Sequence, residues 1–305
     1  MTPSSFTFTL SDKQIEKLKA FLDQKGFEFS TIDHGLFRAK SKGVVVQVYK
    51  SGKVLVQGKE ALEFSRNVIE PEILQQAAIG YEFLTHPEYF EAHVGIDECG
   101  KGDLFGPLVI AAVFVDPQSA KDFTEMGIKD SKRISSIRRL NQLASAIKKK
   151  TKYALLSLPP LRYNELYEKK FKNLNLLLAW AHAWVYKKLS LELNDAPRVL
   201  CDRFAQPWVL QQSFKRIGAD QLLEQKTKAE SDPAVAAASI LARLTFVEEL
   251  AKLSQVIGLP LPKGASSKAA QLAKDILLRC GKDTLRKVAK IHFKTIQQIF
   301  ADCAL

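Results

Sequence analysis

The chain has 305 residues, 46% hydrophobic and 26% charged, the balance of a soluble globular protein and not of a disordered one. Its longest stretch without Lys, Arg, Asp or Glu, Asn173–Tyr186, is 14 residues, against about 20 apolar residues for a spanning helix, so a membrane protein is excluded. Lys and Arg total 45 against 33 Asp and Glu, a net charge of +12 that favours a polyanionic partner, nucleic acid first.

The charge is unevenly spread. Residues 1–84 hold 11 basic and 10 acidic residues; the remaining 221 hold 34 and 23, so the excess lies in the larger C-terminal part. Met1 to Leu10 shows no basic region followed by an apolar run, so no signal peptide is expected. No two of Cys99, Cys201, Cys280 and Cys303 are spaced as CxxC. They read as small buried thiols of a cytoplasmic protein, not as zinc ligands.

From the N-terminus, Phe6 to Leu10 alternates with period two and predicts a strand. Ser11 and Gln14 form a capping box before Ile15, Leu18, Phe21 and Leu22, one helical face that Gly26 ends. Apolar runs at 35–40, 44–49 and 53–57, separated by Ser41-Lys-Gly43 and Lys50-Ser-Gly52, predict antiparallel hairpins. Glu60 to Val68 reads as a helix that Pro71 terminates, followed by a connector over 71–92. From His34 to Lys59 there are six basic residues, Lys50 and Lys53 among them, and no acidic one. Such lysines either protect strand edges or present a sheet face to phosphates, with Phe37 and Tyr49 available for stacking.

A second unit begins with the strand His93–Asp97, a glycine-rich bend over 99–106 and the apolar run Leu108–Val115, a central strand covered on both faces. Tyr153–Leu158 is a further strand, 161–193 is mostly helical, and Arg198–Asp202 is a short strand ending in an acid. Ser231-Asp232-Pro233 opens a helix that runs to Leu250, and helices at Lys268–Cys280 and Lys282–Phe300 close the chain.

Two strands thus end in aspartate, Asp97 and Asp202, and Asp232 starts a helix. Strand ends of α/β sheets often carry functional residues. Glu98 adjoins Asp97, and adjacent strand residues point to opposite faces, so both reach one site only if the strand breaks at Cys99 to Gly102. Four converging carboxylates would repel, which Mg²⁺ or Mn²⁺ relieves, and two such ions are an apparatus for phosphodiester hydrolysis. Each acid taken alone also reads as a cap or turn residue.

The motifs carry a resemblance. Gly95-Ile-Asp97-Glu98-Cys-Gly100-Lys101-Gly102-Asp-Leu-Phe-Gly106-Pro107 resembles the first motif of the type 2 ribonucleases H. Lys129-Asp-Ser-Lys132-Arg133 resembles their second block, and Lys228-Ala-Glu-Ser-Asp232 with Ala236 to Arg243 their acid-bearing helix. The Gly-Lys-Gly reading, the N-terminal unit, Leu261-Pro-Lys-Gly264 and Val288-Ala-Lys-Ile-His-Phe293 are similar to the ribonuclease HIII branch.

The resemblance implies an α/β fold: an RNase H-like mixed sheet flanked by helices (85–305), preceded by a small α+β domain of TATA-box-binding-protein-like fold that binds substrate (1–84). It implies a monomeric endonuclease that cuts RNA in RNA–DNA hybrids with two ions, Mg²⁺ or Mn²⁺, leaving 5′-phosphate and 3′-hydroxyl ends. The family's acids fall on Asp97, Glu98, Asp202 and Asp232. Gly100, Lys101 and Gly102 would lie against the minor groove, and Lys50, Lys53, Lys132 and Lys228 would contact substrate. Phosphate contacts are expected from the basic runs Lys129–Lys152 and Lys263–Lys294, each of which also reads as a solvated helix face. Two other readings stand beside this one: a DNA-directed nuclease on the same fold, and a non-catalytic nucleic-acid-binding protein.

Overall fold

A computed structural model of the chain describes residues 5–75, 86–128, 134, 136–193, 198–219, 223–227 and 229–303. It divides into two units, Met1–Phe90 with Glu125–Gly127, and Glu91–Thr124 with Ile128–Leu305.

In the first unit the period-two runs become β1 (Ser5–Thr9), β3 (Gly35–Ser41), β4 (Val44–Tyr49) and β5 (Lys53–Gln57). A short strand that the pattern did not announce, β2 (Glu28–Ser30), completes an antiparallel sheet of order β1-β5-β4-β3-β2. Val44, Val46, Val48, Val54 and Val56 turn to one face and bury against Ile15, Leu18 and Leu22 of α1 (Asp12–Gln24). The side chain of Gln14 accepts the Ser11 backbone N–H at 2.9 Å, satisfying an amide that the first turn leaves open. Both hairpin turns place glycine at positive φ, Gly43 at 84° and Gly52 at 77°, where a Cβ would be strained.

Pro71 does not end the following helix. α2 (Ala61–Phe64) continues as π-helical turns over Ser65–Leu74, with Pro71 inside, and stops at Gln75 with φ 54°. The wider turn accommodates a residue that lacks an N–H and crowds the preceding turn. Residues 76–85, including the expected junction at 84, lie outside the described residues.

The second unit is built on a mixed sheet of order β10-β9-β6-β7-β8. Its strands are β6 (His93–Cys99), β7 (Leu108–Val115), β8 (Tyr153–Leu158), β9 (Val199–Asp202) and β10 (Leu223–Lys226). β7 pairs antiparallel with β6 and β8, whereas β9 pairs parallel with β6 and β10. The helices are α3 (Pro117–Glu125), α4 (Ile137–Lys150), α5 (Pro160–Leu166), α6 (Leu174–Ser190), α7 (Pro207–Lys215), α8 (Pro233–Ile257), α9 (Ser267–Val288) and α10 (Lys294–Asp302).

On one face of this sheet Val94, Ile96, Ile110, Val199 and Cys201 share a core with α6 and α7. α6 is the uncharged stretch of the sequence, and it is buried because it lies in that core. α8 covers the other face so closely that a Cβ on Gly95 would lie 2.2 Å from the Val235 nitrogen. Glycine at 95 is what lets the start of α8 rest on β6.

The break expected between Cys280 and Lys282 is present, but the stretch from 282 to 300 is not one helix. α9 breaks at Gly281 (φ 81°, ψ 169°), as expected, and helix is lost a second time after Val288. There Ala289 bridges antiparallel to Phe105, so an extended segment separates α9 from α10. No described helix is long and apolar enough to cross a membrane.

Candidate active site

β6 and β9 run parallel in the register Val94–Val199, Gly95–Leu200, Ile96–Cys201. The next residue on each strand is an aspartate, so Asp97 and Asp202 stand side by side on neighbouring strands. Asp97 Oδ1 accepts the Glu98 N–H at 2.8 Å, and Asp202 Oδ1 accepts the Ala229 N–H at 3.4 Å.

The strand does not break between Asp97 and Glu98. β6 stays paired with β7 through Cys99–Val109, and the two acids point to opposite faces. Glu98 turns toward α6, where its Oε2 lies 3.5 Å from His182 Nε2, while Lys101 Nζ donates to its other oxygen at 3.4 Å. Burial pushes the Glu98 carboxyl up, but His182 and Lys101 together outweigh it and hold it below the usual carboxylate range. The His182 ring is fixed by its Nδ1 against Leu178 O at 2.9 Å and by Phe204, 4.7 Å away between ring centroids.

Cys201 lies beneath these acids. Burial, then the charges of Glu98, Asp97 and Asp202, push its thiol well above the ordinary value. Burial likewise raises Cys99 to about 12, with Asp103 and Asp97 adding to it. Both are therefore inert thiols, and all four cysteines are free.

The Asp232 carboxylate is engaged elsewhere, although its backbone N–H reaches Ala229, which donates to Asp202. The Asp232 side chain has no exposed surface; both oxygens lie 2.9 Å from His93 Nε2, and Oδ1 accepts the N–H groups of Ala234 at 2.9 Å and Val235 at 3.2 Å. His93 begins β6, four residues and about 13 Å of strand before Asp97. In this arrangement Asp232 caps α8 and ties it to β6. Among the described residues no three His, Cys, Asp or Glu donors stand already gathered as an ion-holding set. Asp97 and Asp202, half-buried next to each other on paired strands, fit a hard divalent cation by chemistry, while Glu98 follows Asp97 on the α6 side of the sheet.

The two loop glycines differ. Gly100 has φ 92°, and a Cβ there would meet Pro107 O at 2.2 Å, so the fold itself requires glycine. A Cβ on exposed Gly102 would meet nothing within 4 Å. Lys101 is 41% exposed and engages Glu98, with Nζ also 6.0 Å from the Phe204 ring centroid. Lys50 and Lys53 are exposed in the first unit. Lys132 and Lys228 lie outside the described residues, as does the block 129–133.

The basic runs separate by role. α4 buries Leu140, Leu143, Ala144 and Ile147 and exposes Lys148, Lys149 and Lys150. In the run from 263 to 294, Arg286 is engaged by both oxygens of Glu168, at 3.0 and 2.6 Å, and Lys290 is fully buried, so neither faces solvent as a free cation. His182 and Phe204 escaped the sequence reading, and Lys290 entered it only as one cation of the run Lys263–Lys294. His182 carried a usable signal, as the one histidine inside the uncharged stretch 173–186.

Comparison with known proteins matches residues 94–296 to the family model described as Ribonuclease HII, and residues 5–78 to a domain of unknown function, DUF3378. The chain is 42% identical to Ribonuclease HIII of Protochlamydia amoebophila over 294 residues, 96% of each chain. It is 41% identical to Ribonuclease HIII of Chlamydia abortus, over 96% of this chain and 97% of that one. Among solved structures it resembles Bst-RNase HIII in complex with Mn²⁺, with a TM-score of 0.65 and 29% identity over 98% of this chain and 99% of that one.

Proposed function

Because the chain belongs to the type 2 ribonucleases H, in the ribonuclease HIII branch, and is a hydrolytic nuclease of that family, we propose that it cuts the RNA strand of RNA–DNA hybrids at the β6–β9 edge, leaving 5′-phosphate and 3′-hydroxyl ends. The observation that carries this reading is the strand register that sets Asp97 beside Asp202, with Glu98 next in sequence. On the family motif, these acids and Glu98 would hold two ions, Mg²⁺ or Mn²⁺, which when bound supply an activated water and charge stabilisation at the leaving oxygen. The Mn²⁺ complex of Bst-RNase HIII supports that class of ion.

The chain's own residues do the rest. His182 and Lys101 keep Glu98 ionised, so it reaches the ion as a full negative charge. Lys101, partly exposed and 3.4 Å from Glu98, can exchange that carboxylate for a substrate phosphate. Gly102 leaves open space, so its backbone can approach a 2′-hydroxyl displayed in the minor groove. Asp232 acts through the fold, holding α8 on β6 beside the acids. The exposed lysines of α4, and Lys50 and Lys53 of the N-terminal domain (1–84), hold phosphates. Lys132 and Lys228 keep the same assignment on the family motif alone. We take the protein to work as a cytoplasmic monomer, a setting in keeping with four free cysteines.

Asp97→Asn tests the assignment: it removes charge and almost no volume. Cleavage should be lost while hybrid binding persists, and turnover near that of the parent would take Asp97 out of the reaction.

A further inference from the structure

Two segments singled out by their family resemblance, Leu261–Gly264 and Val288–Phe293, have no part in the chemistry above. Both close on the loop Gly100–Pro107, which follows Asp97 and Glu98. Leu104 N–H donates to Gly264 O at 3.0 Å, and Gly264 N–H donates to Asp103 Oδ1 at 2.6 Å. Gly106 N–H donates to Val288 O at 3.0 Å, and Lys290 N–H to Leu104 O at 2.9 Å.

Between these contacts Lys290 inserts a side chain with no exposed surface. Its Nζ donates to Asp103 O at 2.9 Å and to Gly106 O at 2.7 Å. One nitrogen therefore joins two carbonyls three residues apart and holds the bend closed. Asn164 fixes the lysine's own segment from behind: its Nδ2 donates to Ala289 O at 2.9 Å, and its Oδ1 accepts the Ile291 N–H at 3.0 Å.

An ammonium is an expensive group to bury, and an apolar side chain would fill the same space more cheaply. It would, however, leave the buried Gly106 carbonyl and the part-buried Asp103 carbonyl without that donor. We infer that Lys290 is a positioning residue for the reaction, clamping the backbone that carries Gly100-Lys101-Gly102 so that the loop meets the hybrid in one shape. This inference rests on the reading of that loop as the hybrid-sensing element. Both acceptors are neutral carbonyls, so the role needs two N–H donors at that position, and a glutamine amide supplies two.

Lys290→Met and Lys290→Gln in the full chain test it, with thermal melting to confirm folding. Two readouts follow: amide exchange at Leu104 and Gly106, and kcat and KM on a hybrid with Mg²⁺. Losing the clamp forfeits about one to two hydrogen bonds, so K290M should exchange ~10-fold faster at both amides and lose ~10-fold in kcat with KM nearly unchanged. K290Q should recover part of both. Unchanged exchange and kcat in folded K290M would overturn the inference, as would a lowered melting temperature with parental kcat. Should K290M fail to fold, K290Q decides: retained protection and kcat support the clamp, and lost protection with parental kcat refutes it. The exchange readout needs no substrate, so a parent protein that leaves hybrid uncut would refute the functional reading while the exchange still judges the clamp.

Discussion

Replacing Gly102 by valine separates substrate contact from folding. The position is exposed, its backbone is outside the left-handed region, and an added Cβ finds no atom within 4 Å. The isolated protein should therefore fold and melt as the parent does, within about 0.5 kcal/mol for a surface change. Against substrate the outcome differs, because a Cβ and its two methyls hold an approaching sugar beyond hydrogen-bond reach. If the Gly102 backbone bonds a 2′-hydroxyl, one or two hydrogen bonds are lost, about 1–3 kcal/mol or ~10–100-fold in cleavage. Affinity, dominated by phosphates, should fall less, and its salt slope should stay as it was. The assay is kcat/KM on hybrid beside binding without divalent ion at several salt concentrations. Normal cleavage by folded Gly102→Val would refute the reasoning. So would a loss wholly in affinity with a flattened salt slope, since the loop would then be only a phosphate contact. Gly100→Ala is the contrast: with φ 92° and Pro107 O 2.2 Å from the new atom, it should lose stability before it loses substrate.

Asp232→Asn should cost roughly 2–4 kcal/mol of unfolding free energy, because it weakens a buried cap and the partner of buried His93; parental stability with lost metal affinity would return Asp232 to the ion site. Burial depresses Lys290 from 10.5 to about 7. Between pH 7 and 10 the unfolded chain therefore binds a proton that the native state has released, and this group makes stability rise with pH by up to about 1.4 kcal/mol per unit. Denaturant titrations of the parent and Lys290→Met across that range should differ by this slope, and parallel curves would contradict the buried-amine account. Residues 85–305 alone should keep the chemistry but bind hybrid more weakly at equal salt; binding and cutting like the full chain would remove the N-terminal domain as a substrate clamp.

What could be read from the sequence follows the range of the interactions. Alternation and glycine turns placed β3, β4 and β5 because both signals are local, and the apolar run at 108–115 announced β7 as a central strand. Asp97 and Asp202 were legible because each ends an apolar strand pattern, but their adjacency comes from a parallel pairing across more than a hundred residues. The expected break at Cys99 to Gly102 is there, since β6 ends at Cys99 and Gly100 takes φ 92°, but Asp97 and Glu98 both precede it and keep the alternation of a paired strand. Asp232 carried the same local signal whether cap or ligand; its partner His93, 139 residues away, decided where it points. Lys290 looked like one more cation in a basic run because the carbonyls that hold it lie 184 and 187 residues upstream. β2 and β10 are short edge strands of three and four residues, too brief to establish a period.

The central claim is metal-dependent cutting of RNA in a hybrid by the acids at the ends of β6 and β9. The most direct measurement incubates the protein and its Asp97→Asn variant with Mg²⁺ or Mn²⁺ and four end-labelled substrates: RNA–DNA hybrid, duplex RNA, duplex DNA and a DNA–RNA–DNA chimera. The account predicts that the parent cuts hybrid and leaves duplex DNA intact, that cutting needs the ion, and that Asp97→Asn binds hybrid without cutting it. Cleavage of the all-DNA duplex, or hybrid binding with no cleavage in either ion, would contradict it.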